Sequence, residues 1–210
     1  MPSPNSNYNE VFVVAGCRPW SRLVFHDTIC HFPGTWHYAD SPHVLTPEWL
    51  KSLEPQYIFF LHWSWIVPPE IIHAYECVGF HMTDVPYGRG GSPLQNLIIR
   101  SHLETKLTAL RLTDKLDAGP IYLKEPLSLE GSAGEIYARG SALSALMVRR
   151  IIEEHPSPVG QEGEPTTFNR RRPSESRIPS LSNLEAIYDF IRMLDAEGYP
   201  RAFITHEGFR

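Results

Sequence analysis

Apolar residues fall along this chain in short blocks whose spacing switches between continuous runs and helical stripes. Val11 to Ala15 is apolar throughout and closed by Gly16, the pattern of a strand buried on both faces of a parallel sheet. Leu23, Phe25, Ile29 and Phe32 recur near helical spacing in Trp20 to Phe32, which completes a first β-α step. Thr35 to Tyr38 reads as a short extended piece. Thr46-Pro47, a hydroxyl N-cap before a proline at the first helical position, predicts a brief helix through Leu53. Tyr57 to Leu61 is the second fully apolar strand, Pro68-Pro69 opens a helix to about Ala74, and Cys77 to His81 is a third strand that runs into an irregular loop, Met82 to Gly91. Strand and helix in alternation predict a parallel sheet wrapped by helices, an α/β fold.

Ser92-Pro93 caps a predicted helix to about Ser101, Leu107 to Leu112 and Pro120 to Pro126 are strands, and Asp117-Ala118-Gly119 is the tight entry to the second of them. In Gly134 to Glu154, Ile136, Tyr137, Leu143, Met147 and Ile151 gather near one helical face. The pattern then breaks. His155 to Arg177 carries four prolines, two glycines and the triplet Arg170 to Arg172, and reads as a solvated linker. Ser182 with Glu185 forms a capping box for one more amphipathic helix, with Leu184, Ile187, Tyr188, Ile191 and Leu194 as its stripe. Ala202-Phe203-Ile204 and the Glu207-Gly208 turn resemble half a β-hairpin, so either no fixed structure after about Tyr199 or pairing with a second copy in a homodimer is expected. The expected division is a flexible leader at 1–10, a catalytic domain at 11–155, a linker at 156–180 and a C-terminal appendage, helical and β, at 181–210.

Composition narrows the class. With 19 basic against 24 acidic residues the net charge is −5, which argues against a nucleic-acid partner. The run Tyr57 to Val67 is broken by His62 and Ser64 and is shorter than the roughly 20 residues that span a bilayer. The opening MPSPNSNYNE lacks the basic and apolar regions of a signal peptide, so a cytoplasmic protein without membrane contact is expected. Three cysteines without a C-x-x-C pair predict free thiols, and none of the histidines shows metal-ligand spacing.

Ligands of open parallel sheets bind beyond the carboxyl ends of the strands. His62-Trp63-Ser64, His81 to Gly91 and Thr113 to Gly119 each follow a strand. Within them His81 and Asp117 are a candidate base and orienting carboxylate. His62 reads equally well as a packed core histidine, and Trp63 as pocket wall.

Four blocks then carry a resemblance over about Gln56 to Glu154: Gly79-Phe80-His81-Met82-Thr83-Asp84-Val85-Pro86, Arg89-Gly90-Gly91-Ser92-Pro93-Leu94-Gln95, Glu104 to Thr108, and Leu116-Asp117-Ala118-Gly119. Their order and spacing resemble the folate-dependent formyltransferase family. The resemblance implies a Rossmann-like formyltransferase fold with a mostly parallel sheet, and transfer of the formyl group of 10-formyltetrahydrofolate to an amine, with no metal. It implies that His81 stabilises the carbonyl oxygen and helps move protons while Asp117 holds and charges the imidazole. His62, Trp63, Ser64, Pro86, Thr113, Asp114, Lys115 and Leu116 would hold the cofactor, and Arg89, Gly90 and Gly91 would meet the acceptor.

The chain departs from the family at Gly79, where an asparagine two residues before the histidine would polarise the carbonyl. Water, a backbone N–H, His62 or Asn96 are the expected stand-ins. Without one, the chain would be a folate-binding pseudoenzyme. Its acidity, and the likeness of Ile191-Arg192 and Tyr199-Pro200-Arg201-Ala202-Phe203 to a linker element of sugar formyltransferases, make an amine on a nucleotide-linked deoxyamino sugar the expected acceptor. Methionyl-tRNA is the alternative.

Overall fold

Alternation along each apolar run divides the core between two faces of one sheet. In β1 (Val11–Ala15), Phe12 and Val14 enter one apolar cluster while Val13 and Ala15 enter the other. In β3 (Tyr57–Phe60), Phe59 and Ile58 divide in the same way, as do Val78 and Cys77 in β4 (Cys77–His81). These strands are apolar on both faces because helices cover both. The larger cluster is closed by α1 (Pro19–Asp27), α4 (Pro93–Ile98) and α5 (Ala133–Glu154), and the smaller by α2 (Pro47–Leu53) and α3 (Pro69–Ala74) through Leu50 and Ile71. This computed structural model describes residues 10–180 and 183–205.

With β2 (Thr35–Ala39), β6 (Glu104–Arg111) and β7 (Ile121–Ser128), the sheet order is β2-β1-β3-β4-β6-β7. The β1-β2, β1-β3 and β3-β4 pairs are parallel, but β6 runs antiparallel to β4, His81 opposite Thr108 and Val78 opposite Arg111. The sheet is therefore mostly parallel, as expected, and mixed, with β6 the reversed strand. At six residues α4 is only about 9 Å long, too short to return the chain to the edge where β4 began.

Several predicted boundaries shift. The helix from Trp20 ends at Asp27 and is followed by a 3₁₀ turn, Ile29–His31. Ser92 does not cap α4 through its side chain, which instead accepts from the Arg171 backbone N–H at 3.0 Å. The last helix, α6 (Leu184–Arg192), is capped by Asn183, whose side chain accepts from Ala186 N–H; Ser182 lies outside the described residues.

The tail is not an unpaired edge up to Phe203, which forms a parallel bridge with Arg177 of its own chain. Glu207 and Gly208 lie outside the described residues. The 156–180 segment is held by the fold: Val159 bridges Ile121, and β8 (Thr167–Phe168) pairs with β5 (Arg89–Gly90), a strand within the loop expected to be irregular. Among the described residues no helix is long and apolar enough to cross a membrane. Cys17, Cys30 and Cys77 are free thiols, and burial pushes that of Cys77 up to about 12.

Candidate active site

His81 closes β4 on the face shared with Cys77 and Gly79, and it is buried. Its Nε2 lies 2.8 Å from the Gly88 carbonyl oxygen, which can only accept, so Nε2 carries the proton. The other ring nitrogen, Nδ1, faces Asp117 Oδ2 at 3.6 Å, just beyond hydrogen-bond range. With Nδ1 bare the pair has no proton to share. The lone pair of Nδ1 faces the carboxylate, so Nδ1 is the position of the ring left without a hydrogen-bond donor or acceptor in range.

Asp117 reaches this place by an unexpected path. Because β6 is reversed, Leu112 N–H donates to Cys77 O, so the loop 113–119 begins at the amino end of β4 and doubles back to His81. The rule about carboxyl ends thus selects a loop that reaches His81, but not by following a strand's carboxyl end at that place. Asp117 itself sits at φ +50°, a left-handed conformation that aspartate tolerates better than most residues. Gly119 closes the turn where a Cβ would stand 1.8 Å from Arg111 O. The Gly90 N–H donates to Asp117 Oδ2 at 2.8 Å, which ties the carboxylate to the Arg89-Gly90-Gly91 turn.

The expected cofactor residues each make contacts of their own. His62 donates from Nε2 to Ser141 Oγ at 2.8 Å, because that hydroxyl spends its own proton on Tyr137 O. Its ring is held edge-on by Trp20 and Tyr137. Burial first, then the nearby Arg18 charge, pull its pKa down to about 3, so it is neutral. Ser64 Oγ accepts from Cys17 Sγ at 3.4 Å, and Trp63 packs on Phe60 and Trp65 with an indole N–H that has no partner among the described residues. Thr113 Oγ1 donates to Lys115 O, while Asp114 turns away to pair with exposed His73. Lys115 and Leu116 are exposed, and the Pro86 carbonyl accepts from Thr166 N–H.

Two expected stand-ins at Gly79 are committed elsewhere. His62 is bound to Ser141, and the Asn96 amide donates to Gly91 O, Ser92 O and Asn169 O while its oxygen accepts from Arg100. The space a side chain at position 79 would enter is filled by Leu112, whose Cδ2 lies 2.6 Å from the place of a Cβ.

The segment after α5 supplies residues that the sequence concealed. Gly88 N–H donates to Thr166 Oγ1, Gly91 N–H donates to Phe168 O, and Gln161 bridges Arg89 to the Asp117 turn. Arg170 lies against Gly91, its Cβ 2.4 Å from where a Gly91 Cβ would stand. The arginine triplet, expected in a solvated linker, thus borders the candidate acceptor turn. Nothing in a proline- and glycine-rich stretch signals such contacts. A separate groove of about 730 Å³, lined by Leu103, Leu129, Tyr188 and Arg192 among others, contains none of these residues. Among the described residues no cluster of three or more metal-ligating side chains occurs.

Residues 173–210 match the family model described as "Methionyl-tRNA formyltransferase, C-terminal domain". A solved methionyl-tRNA formyltransferase from Clostridium thermocellum is 42% identical, with TM-score 0.88, over 94% of this chain and 88% of that one. A methionyl-tRNA formyltransferase of Bacillus thuringiensis is 30% identical over 171 residues, 77% of this chain and 54% of its own length. The chain spans about half the length of the curated relatives it matches. A sugar N-formyltransferase from a Shewanella species shares the fold at TM-score 0.69 with 15% identity, covering 97% of this chain and 95% of that one.

Proposed function

The chain belongs to the formyltransferase family, and from that footing we propose that it moves a formyl group from 10-formyltetrahydrofolate to the amino group of methionyl-tRNA. The comparisons favour this acceptor over the expected amino sugar: the tail that suggested a sugar matches a methionyl-tRNA formyltransferase C-terminal model, and 42% identity to one such enzyme stands against 15% to a sugar enzyme. The observation that carries a polyanionic acceptor is the placement of Arg89 and Arg170 at the Gly90–Gly91 turn, beside Asp117. Net charge averages over the whole surface and misses a local basic rim.

In this reading the folate donor supplies an activated formyl group, and the residues of the chain manage charge and protons. His81, anchored through Nε2 to Gly88 O, takes the proton leaving the acceptor amine at Nδ1, and Asp117 stabilises the resulting imidazolium. The positive charge of the ring offsets the developing negative oxygen in place of the missing asparagine amide, and as the bond from the formyl carbon to the folate nitrogen breaks, the ring returns its proton to that leaving nitrogen. Leu112 walls the space over Gly79 and keeps water from it. The unpartnered indole N–H of Trp63 is one group that could receive the pterin.

The test is to supply 10-formyltetrahydrofolate with charged initiator tRNA or with a panel of amino-sugar nucleotides and follow release of tetrahydrofolate. Transfer to the tRNA, weakening steeply between 50 and 200 mM salt, is expected. Transfer only to a sugar nucleotide would overturn the acceptor assignment, and folate binding without turnover would make the chain a pseudoenzyme.

A further inference from the structure

We infer that Gln161 is a positioning residue that holds Arg89 for an anionic group of the acceptor, with its charge uncancelled, while pinning the turn that carries Asp117. Its oxygen accepts from Arg89 Nε at 3.1 Å and from Nη2 at 2.7 Å. Its amide nitrogen donates to Asp117 O and Gly119 O, both at 2.8 Å. All four hydrogen bonds available to a glutamine amide are therefore made, and only one orientation of the amide can make them, since a flip would set oxygen against carbonyls and NH₂ against guanidinium.

The chemistry requires an uncharged side chain here. A glutamate would neutralise Arg89 and could not donate to the two carbonyls, whereas an amide grips the guanidinium and leaves its positive charge for a phosphate. Arg89 is half-buried, and among the described residues it has no acidic partner within 4.0 Å. Val159, two residues earlier, exchanges both backbone hydrogen bonds with Ile121, and Thr166 grips Pro86, Gly88 and Arg89. Gln161 is thus seated in a segment fixed at both ends rather than on a free loop.

The kinetic part of this inference rests on the formyl-transfer reading; the structural part does not. Wild type, Q161A, Q161E, R89A and Q161A/R89A are compared for acceptor KM, folate KM and kcat with charged initiator tRNA, and the Arg89 Nε–H resonance is followed in each free protein that retains the arginine. Q161A is expected to raise acceptor KM about 10-fold, the usual scale for one charge-assisted hydrogen-bond contact, with folate KM unchanged. Q161E is expected to raise acceptor KM at least as much while keeping the protected Nε–H that Q161A loses. Adding Q161A to R89A should raise acceptor KM no further. A wild-type acceptor KM in Q161A, full additivity with R89A, or an Arg89 Nε–H indifferent to Q161A would overturn the inference. Absence of transfer by wild type to any acceptor would overturn the formyl-transfer reading alone, and the resonance of the Q161A and Q161E proteins would still decide whether Gln161 holds Arg89.

Discussion

Leu112 lies over Gly79 as a bulky residue over an absent side chain, and the two positions are coupled. Restoring asparagine at 79 alone would drive its Cβ into Leu112 Cδ2. Thermal unfolding should show G79N destabilised by about 1–3 kcal/mol, the scale of an overpacked core, and G79N/L112A recovering much of that loss with turnover equal to or above wild type. H81N and D117N should each lower kcat at least ~100-fold with folate binding intact, measured by tetrahydrofolate release. His62 answers a different measurement. Its folded pKa of about 3 lies below the ordinary value of 6.5, so the unfolded chain binds the proton more readily between these limits. Its contribution is full above pH 6.5 and is lost as pH falls toward 3. Comparing unfolding free energies from urea titrations at pH 7.5 and 4.5, H62Q should show a smaller drop than wild type, the difference being on the order of a few kcal/mol. The approach of His81 to Asp117 was legible because their motif blocks have a distinctive order and spacing. The engagement of His62 with Ser141, 79 residues later, left no trace in local pattern.

At the level of elements, apolar periodicity located the sheet strands β1 to β4, β6 and β7 and the main helices, because each must bury a stripe or a face. It failed where a cap or an end depends on one hydrogen bond. Ser92 has the residue type of a cap, yet Arg171 takes its hydroxyl, and Asn183 caps α6 one residue after the serine that the spacing favoured. By contrast, α5 has a full capping box that was not read from the chain: Ser132 Oγ accepts from Glu135 N–H, and Glu135 accepts from Ser132 N–H at 2.7 Å. The Ser132 backbone N–H, and then its hydroxyl, hold the Glu135 carboxyl below its ordinary range. S132A should cost about 1 kcal/mol, visible as a lower urea midpoint with an unchanged m-value.

Taken as a whole molecule, the fold class was legible and the direction of β6 was not. Alternating strands and helices imply parallel order, whereas the reversal depends on how far a six-residue helix can carry the chain. Tertiary partners were the hardest to see. Segment 156–180 has the composition of a tether, but the contacts that fix it, Val159 with Ile121 and Thr167–Phe168 with Arg89–Gly90, join residues far apart in sequence. The same non-locality hid the basic rim, since the arginine triplet meets the Gly91 turn only after the chain has folded back.

That late segment also sets an order in time. A ribosome delivers Arg89 72 residues, and Asp117 44 residues, before the Gln161 that grips both. At about 5–20 residues per second the sheet and its His81 loop therefore wait several seconds for their fastener. A nascent chain halted just after α5 carries most of the apolar core but lacks the hydrogen bonds that tie the Arg89 and Asp117 turns together, so the candidate site is assembled well after the sheet that supports it.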